Sequence, residues 1–309
     1  MRLLRWLLVL LLVLAVAATI WGLRQNPEHQ TLNAAARAGV AGQFVGGPLG
    51  VTHYEVTGPD SGSVVVLVHG FSVPMYIWDS LFTTLGDAGY RTIRYDVLGR
   101  GWSDRPDVPY DGSTYDAQLE ALLDSLHVTE PAHVIGLSFG GFVTGHFTAT
   151  HRSRVASLTL IDPAASSSAV PKMLHWPVLG SWIWQTTQVP HMAEGQSSDF
   201  LHPEHFPGWP DAYRPQMQYK GFGRALLRTV FTSSRTSFDS LYGVVGRTGV
   251  PTLLVWGRQD PTVRFALSDN VRRAIPQAEF FPVDSSGHLP HMEQAPQVRE
   301  RVLRFLGEQ

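Results

Sequence analysis

An α/β fold, with a mostly parallel twisted sheet flanked by helices, is the class this sequence predicts, and three observations predict it. Short β-branched runs alternate with helix-compatible stretches from Val51 to Thr150 and again from Pro251 to Leu306, the pattern of a parallel sheet with helical crossovers. The stretch AHVIGLSFGG, residues 132 to 141, passes from a buried-strand pattern through a tight, glycine-flanked turn into helix-compatible residues. Between residues 165 and 249 the alternation breaks: Pro, Trp, His and Met are scattered among helical pieces, with no convincing strand. A helical cap or lid inserted before the penultimate strand accounts for that break.

Composition narrows the class further. A chain of 309 residues with 44% apolar and 16% charged residues can bury a full core, as a globular enzyme does. Its formal net charge of −2 gives no electrostatic case for nucleic acid. With no cysteine there are no disulfides, thiolate metal sites or cysteine nucleophiles. Lysine occurs only at 172 and 220, a bias toward arginine for which there is no physical account.

Taken in order, the chain opens on a membrane segment or signal peptide at residues 1–24. Arg2 and Arg5 precede an uncharged run from Trp6 to Leu23, about 27 Å long as a helix and close to the bilayer hydrocarbon thickness. Ala15, Val16 and Ala17 form a small-x-small cleavage pattern. The apolar residues nevertheless continue past it to Trp21 and Leu23, which suits a retained anchor with interfacial tryptophans. Positive charge ahead of the run places that end in the cytoplasm and the body outside it; the alternative is an exported protein.

Residues 25–50 read as a linker, and 51–164 as the first part of the α/β core. Val51–Thr57 alternates like an edge strand, and Ser63–Val68 is a continuous β-branched run buried on both faces. Trp78–Ala88 reads as helix, Tyr90–Asp96 as strand, Ser113–His127 as helix, Phe139–Thr150 as helix and Val155–Asp162 as strand. The cap occupies 165–249. The core resumes over 250–309, with strands at Pro251–Trp256 and Ala278–Val283 and helices at Arg264–Ala274 and Gln294–Leu306.

The chemistry centres on Ser138. Gly136, Ser138 and Gly140 make a GxSxG pattern, which means little alone in a chain with 29 glycines and much in a strand–turn–helix setting. A serine hydroxyl is a weak nucleophile at neutral pH, so it needs a base in reach and a group to orient that base. The loop after the last strand offers His288, and the end of the preceding strand offers Asp260, giving the chain order Ser, Asp, His. His291 is the rival base; Asp162 and Asp284 are rival acids. His69 and Asp96 read as loop-shaping hydrogen-bonding residues, and Arg100 and Trp102 as surface turn residues, with a place at the border of the pocket as the alternative. The cap's Trp176, Trp182, Trp184, Trp209, Met173, Met192 and Met217 read as its own core, with an apolar acyl pocket as the alternative. Pro203 between His202 and Glu204, and the absence of HExxH, disfavour a metal site at His202 and His205.

With these residues in view, the chain resembles the α/β hydrolase superfamily. It is similar to the branch of esterases, lipases, perhydrolases and carbon–carbon bond hydrolases that share an HG oxyanion loop, a DxxGxGxS loop and a GHxPHxE ending. The matching residues are His69, Gly70 and Phe71; Asp96, Gly99, Gly101 and Ser103; Ser138; Asp260; and Gly287, His288 and Glu293. The resemblance implies Ser138 as nucleophile, His288 as base, Asp260 as its orienting acid, and the backbone N–H groups of Phe71 and Phe139 as the oxyanion hole. It implies hydrolysis of a small-molecule or lipid-like carboxylic ester through an acyl-enzyme, with no cofactor. A perhydrolase or carbon–carbon bond hydrolase with the same residues, and a catalytically idle binding protein of the same fold, are the alternatives. The spacing leaves acyl length, alcohol partner and oligomeric state open.

Overall fold

The computed structural model describes residues 2–167 and 169–309, without the Leu3 side chain; Met1 of the leader and Ser168 of the predicted cap lie outside the described residues. One eight-stranded sheet organises the body, in the order β1-β2-β4-β3-β5-β6-β7-β8. The strands are β1 (Gln43–Gly47), β2 (Gly50–Thr57), β3 (Val64–Val68), β4 (Arg91–Tyr95), β5 (Ala132–Leu137), β6 (Val155–Ile161), β7 (Thr252–Gly257) and β8 (Glu279–Val283). The β1–β2 and β2–β4 pairs are antiparallel, and every other pair is parallel. This is the α/β hydrolase architecture, with α2 (Asp79–Asp87), α3 (Gly112–Ser125), α4 (Phe139–Thr150), α5 (Trp209–Met217), α6 (Phe222–Arg235), α7 (Phe238–Arg247), α8 (Ser268–Ala274) and α9 (Ala295–Gly307) around the sheet. A separate leading helix, α1 (Arg2–Gln25), carries the apolar run.

The β-branched runs form central strands because alternate side chains serve two cores. Val66 and Val68 of β3 and Val134 of β5 pack into one cluster, whereas Val65, Leu67, Ile135 and Leu137 pack into the other. Helices on the two faces complete both clusters: Tyr115 and Leu119 of α3 on the first, and Leu81, Leu85, Val302 and Phe305 of α2 and α9 on the second.

Three local expectations need correction. Val51–Thr57 is not an edge strand, because Gln43–Gly47 pairs outside it in register from Gln43–Tyr54 to Gly47–Gly50. The glycines of QFVGG hid this strand, since they remove the side chains on which a strand pattern depends. The predicted linker is likewise structured in places, with a short turn of helix at Ala34–Arg37 capped by the Asn33 side chain. Farther on, the expected helix from Arg264 begins as a tight turn at Phe265–Leu267 and becomes α-helical only at Ser268.

Between β6 and β7 no strand occurs among the described residues. Helical segments, α5 to α7 among them, fill this stretch, and its Gly195, Gln196 and Asp199 line one cavity with Ser138, which follows β5, and His288, which follows β8; Asp260 follows β7.

Candidate active site

Ser138 follows the last residue of β5 and precedes the first of α4, with φ 53° and ψ −118°. A non-glycine residue in this conformation is strained, and the surroundings hold it there. The Ser138 N–H donates to the Ile161 carbonyl, and its own carbonyl accepts from the Gly141 and Ala164 amides, each at 2.9 Å. The flanking glycines are required by space. A Cβ at Gly136 would stand 2.4 Å from the Gly140 carbonyl oxygen, and one at Gly140 would stand 2.2 Å from that of Val68. The GxSxG pattern is therefore a packing constraint that lifts the serine out of the strand line.

Asp260 and His288 are joined. His288 Nδ1 lies 2.7 Å from Asp260 Oδ2, and both side chains are buried. The other carboxylate oxygen of Asp260 accepts from the Thr262 and Val263 amides, at 2.7 and 2.8 Å. An ionised carboxylate can only accept, so Nδ1 carries the ring proton and Nε2 is left as the basic nitrogen. Burial pulls the His288 pKa down, but the Asp260 hydrogen bond and charge, with the Asp199 charge, more than offset it and leave the pKa above the ordinary value. Ser138 and His288 line the same cavity of about 190 Å³, with Gly70, Phe71, Gln196 and Asp199. No direct hydrogen bond joins the Ser138 hydroxyl to the imidazole among the described residues, an arrangement common in unliganded sites, where this contact tightens on binding.

The rival residues take other places. His291 turns away from the cavity to donate from Nε2 to the Ile77 carbonyl, and burial lowers its pKa to about 3, so it stays neutral. Asp162 is fully buried beside Asp260; its Oδ1 accepts from the Gly257 amide, and burial with the Asp260 charge holds its carboxyl well above the usual range. Asp284 pairs with Arg258 on the surface. Ligand-type atoms of Asp162, Asp260 and His288 lie within 4.8 Å of one another, and the Asp260 Oδ2–His288 Nδ1 hydrogen bond joins two of these residues. His202 and Glu204 pair in the open at 3.2 Å.

The loop bearing Phe71 is braced from beneath. His69 Nε2 accepts from the Val97 amide at 2.9 Å, so Nδ1 donates to the Gly70 carbonyl, and burial lowers the ring's pKa to about 4. Asp96 ties down the next loop as expected, accepting from the Met75 and Trp102 amides and from His53. The Phe71 and Phe139 amides donate to no turn or loop carbonyl among the described residues.

Several neighbours of the candidate site were not legible. Arg100 is no surface residue: it is fully buried, donating from Nε to the Phe71 carbonyl at 2.7 Å and from its other nitrogens to Leu98, Tyr115 and Thr229. It thereby joins the Phe71 loop to helix α6. Glu293 accepts from the Gly287 amide through one oxygen and from the Leu201 amide through the other, each at 2.7 Å, fixing the His288 loop against the helical insertion. Asp199, from that insertion, accepts from Thr262 and lines the cavity; burial raises its pKa. Only the DxxGxGxS and GHxPHxE patterns hinted at the first two, and nothing in the sequence marked Asp199.

A second cavity, of about 450 Å³, adjoins the first. It is lined by Val170, Leu174, Ile183, Trp184 and Val230, and Phe71 belongs to both cavities. The aromatic residues of the insertion thus divide. Trp209 and Met217 are buried core, Trp184 and Met173 line this cavity, and Trp176 stands on the surface. A 550 Å³ cleft near Phe142, His146 and Arg228 contains none of the predicted residues.

Comparison with known proteins agrees with this architecture. A family model described as "Alpha/beta hydrolase family" matches residues 65–301. Lipase 3 of Moraxella sp. (strain TA144) is 25% identical over 247 residues, covering 75% of this chain and 74% of that one. Lipase 1 of Psychrobacter immobilis is 25% identical over 264 residues, covering 82% and 79%. The crystal structure of the enol-lactonase from Burkholderia xenovorans LB400 superposes with a TM-score of 0.75 at 20% identity, covering 86% of this chain and 100% of that one.

Proposed function

The chain belongs to the alpha/beta hydrolase family, and from that premise we propose that it is a serine hydrolase cleaving carboxylic esters, held to a membrane by α1. In this reading Ser138 Oγ attacks the ester carbonyl while His288 Nε2 accepts its proton. Asp260 keeps the imidazole in the Nδ1–H tautomer and offsets the charge it acquires. The Phe71 and Phe139 amides receive the tetrahedral oxyanion, each donor contributing about 3 kcal/mol to the transition state. His288 then protonates the departing alcohol, and a water activated by the same nitrogen releases the acid from Ser138. Residues 165–249 act as the cap over this site.

The observation that carries the reading is the buried Asp260–His288 hydrogen bond, whose imidazole lines the same cavity as Ser138. Lipases among the relatives support an ester as substrate. For the membrane part, support comes from the 22-residue apolar stretch Leu4–Gln25, about 33 Å as a helix and almost wholly unburied. Turnover of p-nitrophenyl butyrate by the Ser138→Ala variant tests the assignment. Loss of at least about 10³-fold in kcat with an unchanged circular dichroism spectrum is expected, and retained turnover removes Ser138 as nucleophile.

A further inference from the structure

Residues 163–193, which follow β6 and the buried Asp162, contain no Asp or Glu and a single formal charge, Lys172. Within that stretch a lip of large apolar side chains faces outward: Met173 is 49% exposed, Trp176 57%, Val178 85% and Leu179 42%. Elsewhere among the described residues, the large hydrophobics exposed to this degree are confined to α1 and Leu201. Val178 is the most telling member. Its φ of 63° puts a β-branched side chain in the left-handed region, which such residues avoid, and that strained turn aims it away from the body. In water this lip has two liabilities, exposed apolar area and backbone strain, and no partner among the described residues covers it.

The same element grips the end of the apolar helix. Directly after the lip, Trp182 and Thr186 close on Gly22, where a Cβ would stand 2.6 Å from the Trp182 indole nitrogen and 3.0 Å from the Thr186 methyl. The Trp21 and Trp182 rings lie 6.1 Å apart. The chain leaving α1 is then fastened to the insertion: Gln185 donates to Asn26 and Glu28, and Glu28 accepts from the Gly221 and Gly223 amides at the start of α6. Lip and helix end are therefore held side by side, and the wall between lip and interior is that of the 450 Å³ cavity, which shares Met173, Leu174, Ile183 and Trp184 with this element. Phe71, at the site, lines that cavity as well.

We propose that the 173–179 lip dips into the bilayer that α1 spans, so that the 450 Å³ cavity admits the acyl chain of a bilayer-resident lipid ester and leads its carbonyl toward Ser138. The occupant is a lipid surface because the lip continues a segment that itself requires one, carries no acid to repel anionic headgroups, and sets Lys172 and the indole of Trp176 where an interface accepts both. The proposal rests on the serine-hydrolase and anchor readings above and names the substrate class for them.

The test uses the full chain in phosphatidylcholine vesicles. Because the protein has no cysteine, Val178→Cys carries a single environment-sensitive nitrobenzoxadiazole label, with Asp60→Cys, on the exposed β2–β3 turn, as the control. A blue shift at 178, with quenching by lipids brominated on the acyl chain and neither effect at 60, is the expected result. In parallel, the Trp176→Ser, Val178→Ser double variant loses about tenfold or more in kcat/KM toward a long-chain ester dispersed in the bilayer and keeps its rate on soluble p-nitrophenyl butyrate. A label at 178 that reports water in vesicles overturns the proposal, as do equal losses on both substrates. A concentration-dependent blue shift without lipid assigns the lip to a second copy of the chain and also overturns it. Failure of the hydrolase reading shows separately, as Ser138→Ala activity retained on both substrates.

Discussion

At the scale of single residues, His288 is set between opposing influences. Burial lowers its pKa, and the hydrogen bond and charge of Asp260, with the Asp199 charge, raise it above 6.5 overall. Only the neutral ring can take the Ser138 proton, so kcat/KM toward a soluble ester rises with pH through this raised pKa and falls away below it. Asp260→Asn removes both the charge and the preferred tautomer while burial remains. The acid limb then moves to lower pH, and the plateau drops on the order of 10⁴-fold. Asp162→Asn, which keeps the oxygen that accepts from Gly257, leaves the position of that limb and most of the rate in place. Equal losses in the two variants contradict the assignment of Asp260. Ser138, Asp260 and His288 were legible because each sits at a strand end in a recognisable chain order. Asp199 was not, because its relevance depends on how the insertion folds back over the sheet, which sequence spacing does not encode.

At the scale of elements, the strands and helices bearing the site were the legible part, since a β-branched run buried on two faces leaves an unambiguous pattern. Strand β1 was missed because three of its neighbouring or constituent positions, Gly46, Gly47 and Gly50, carry no side chain. Arg100 was misread because a charged residue in a glycine loop looks like surface until four acceptors are seen around it. Glu28 belongs to a stretch that reads as linker, yet its carboxylate accepts from two amides at the start of α6, where it also favours the helix dipole. Glu28→Ala therefore destabilises the body by about 1–2 kcal/mol. Thermal unfolding checks this: the midpoint falls by roughly 2–6 °C, and an unchanged midpoint shows that the contact contributes nothing.

At the scale of the whole molecule, the pieces form one arrangement: an apolar helix, an insertion fastened to its end, and a hydrolase core whose cavity opens beneath that insertion. Whether α1 persists in the mature protein is decided by intact mass after membrane isolation. The anchor reading predicts that residues 1–24 are retained and that the protein resists alkaline carbonate extraction; a soluble product beginning just after Ala17 contradicts it. The arrangement has a use only if the hydroxyl at the β5–α4 turn is a working nucleophile, and a fluorophosphonate probe followed by peptide mass mapping measures that most directly. The account predicts one adduct per folded chain, carried on Ser138 and greatly slowed by Asp260→Asn. A folded preparation that turns over ester while Ser138 remains unlabelled contradicts it.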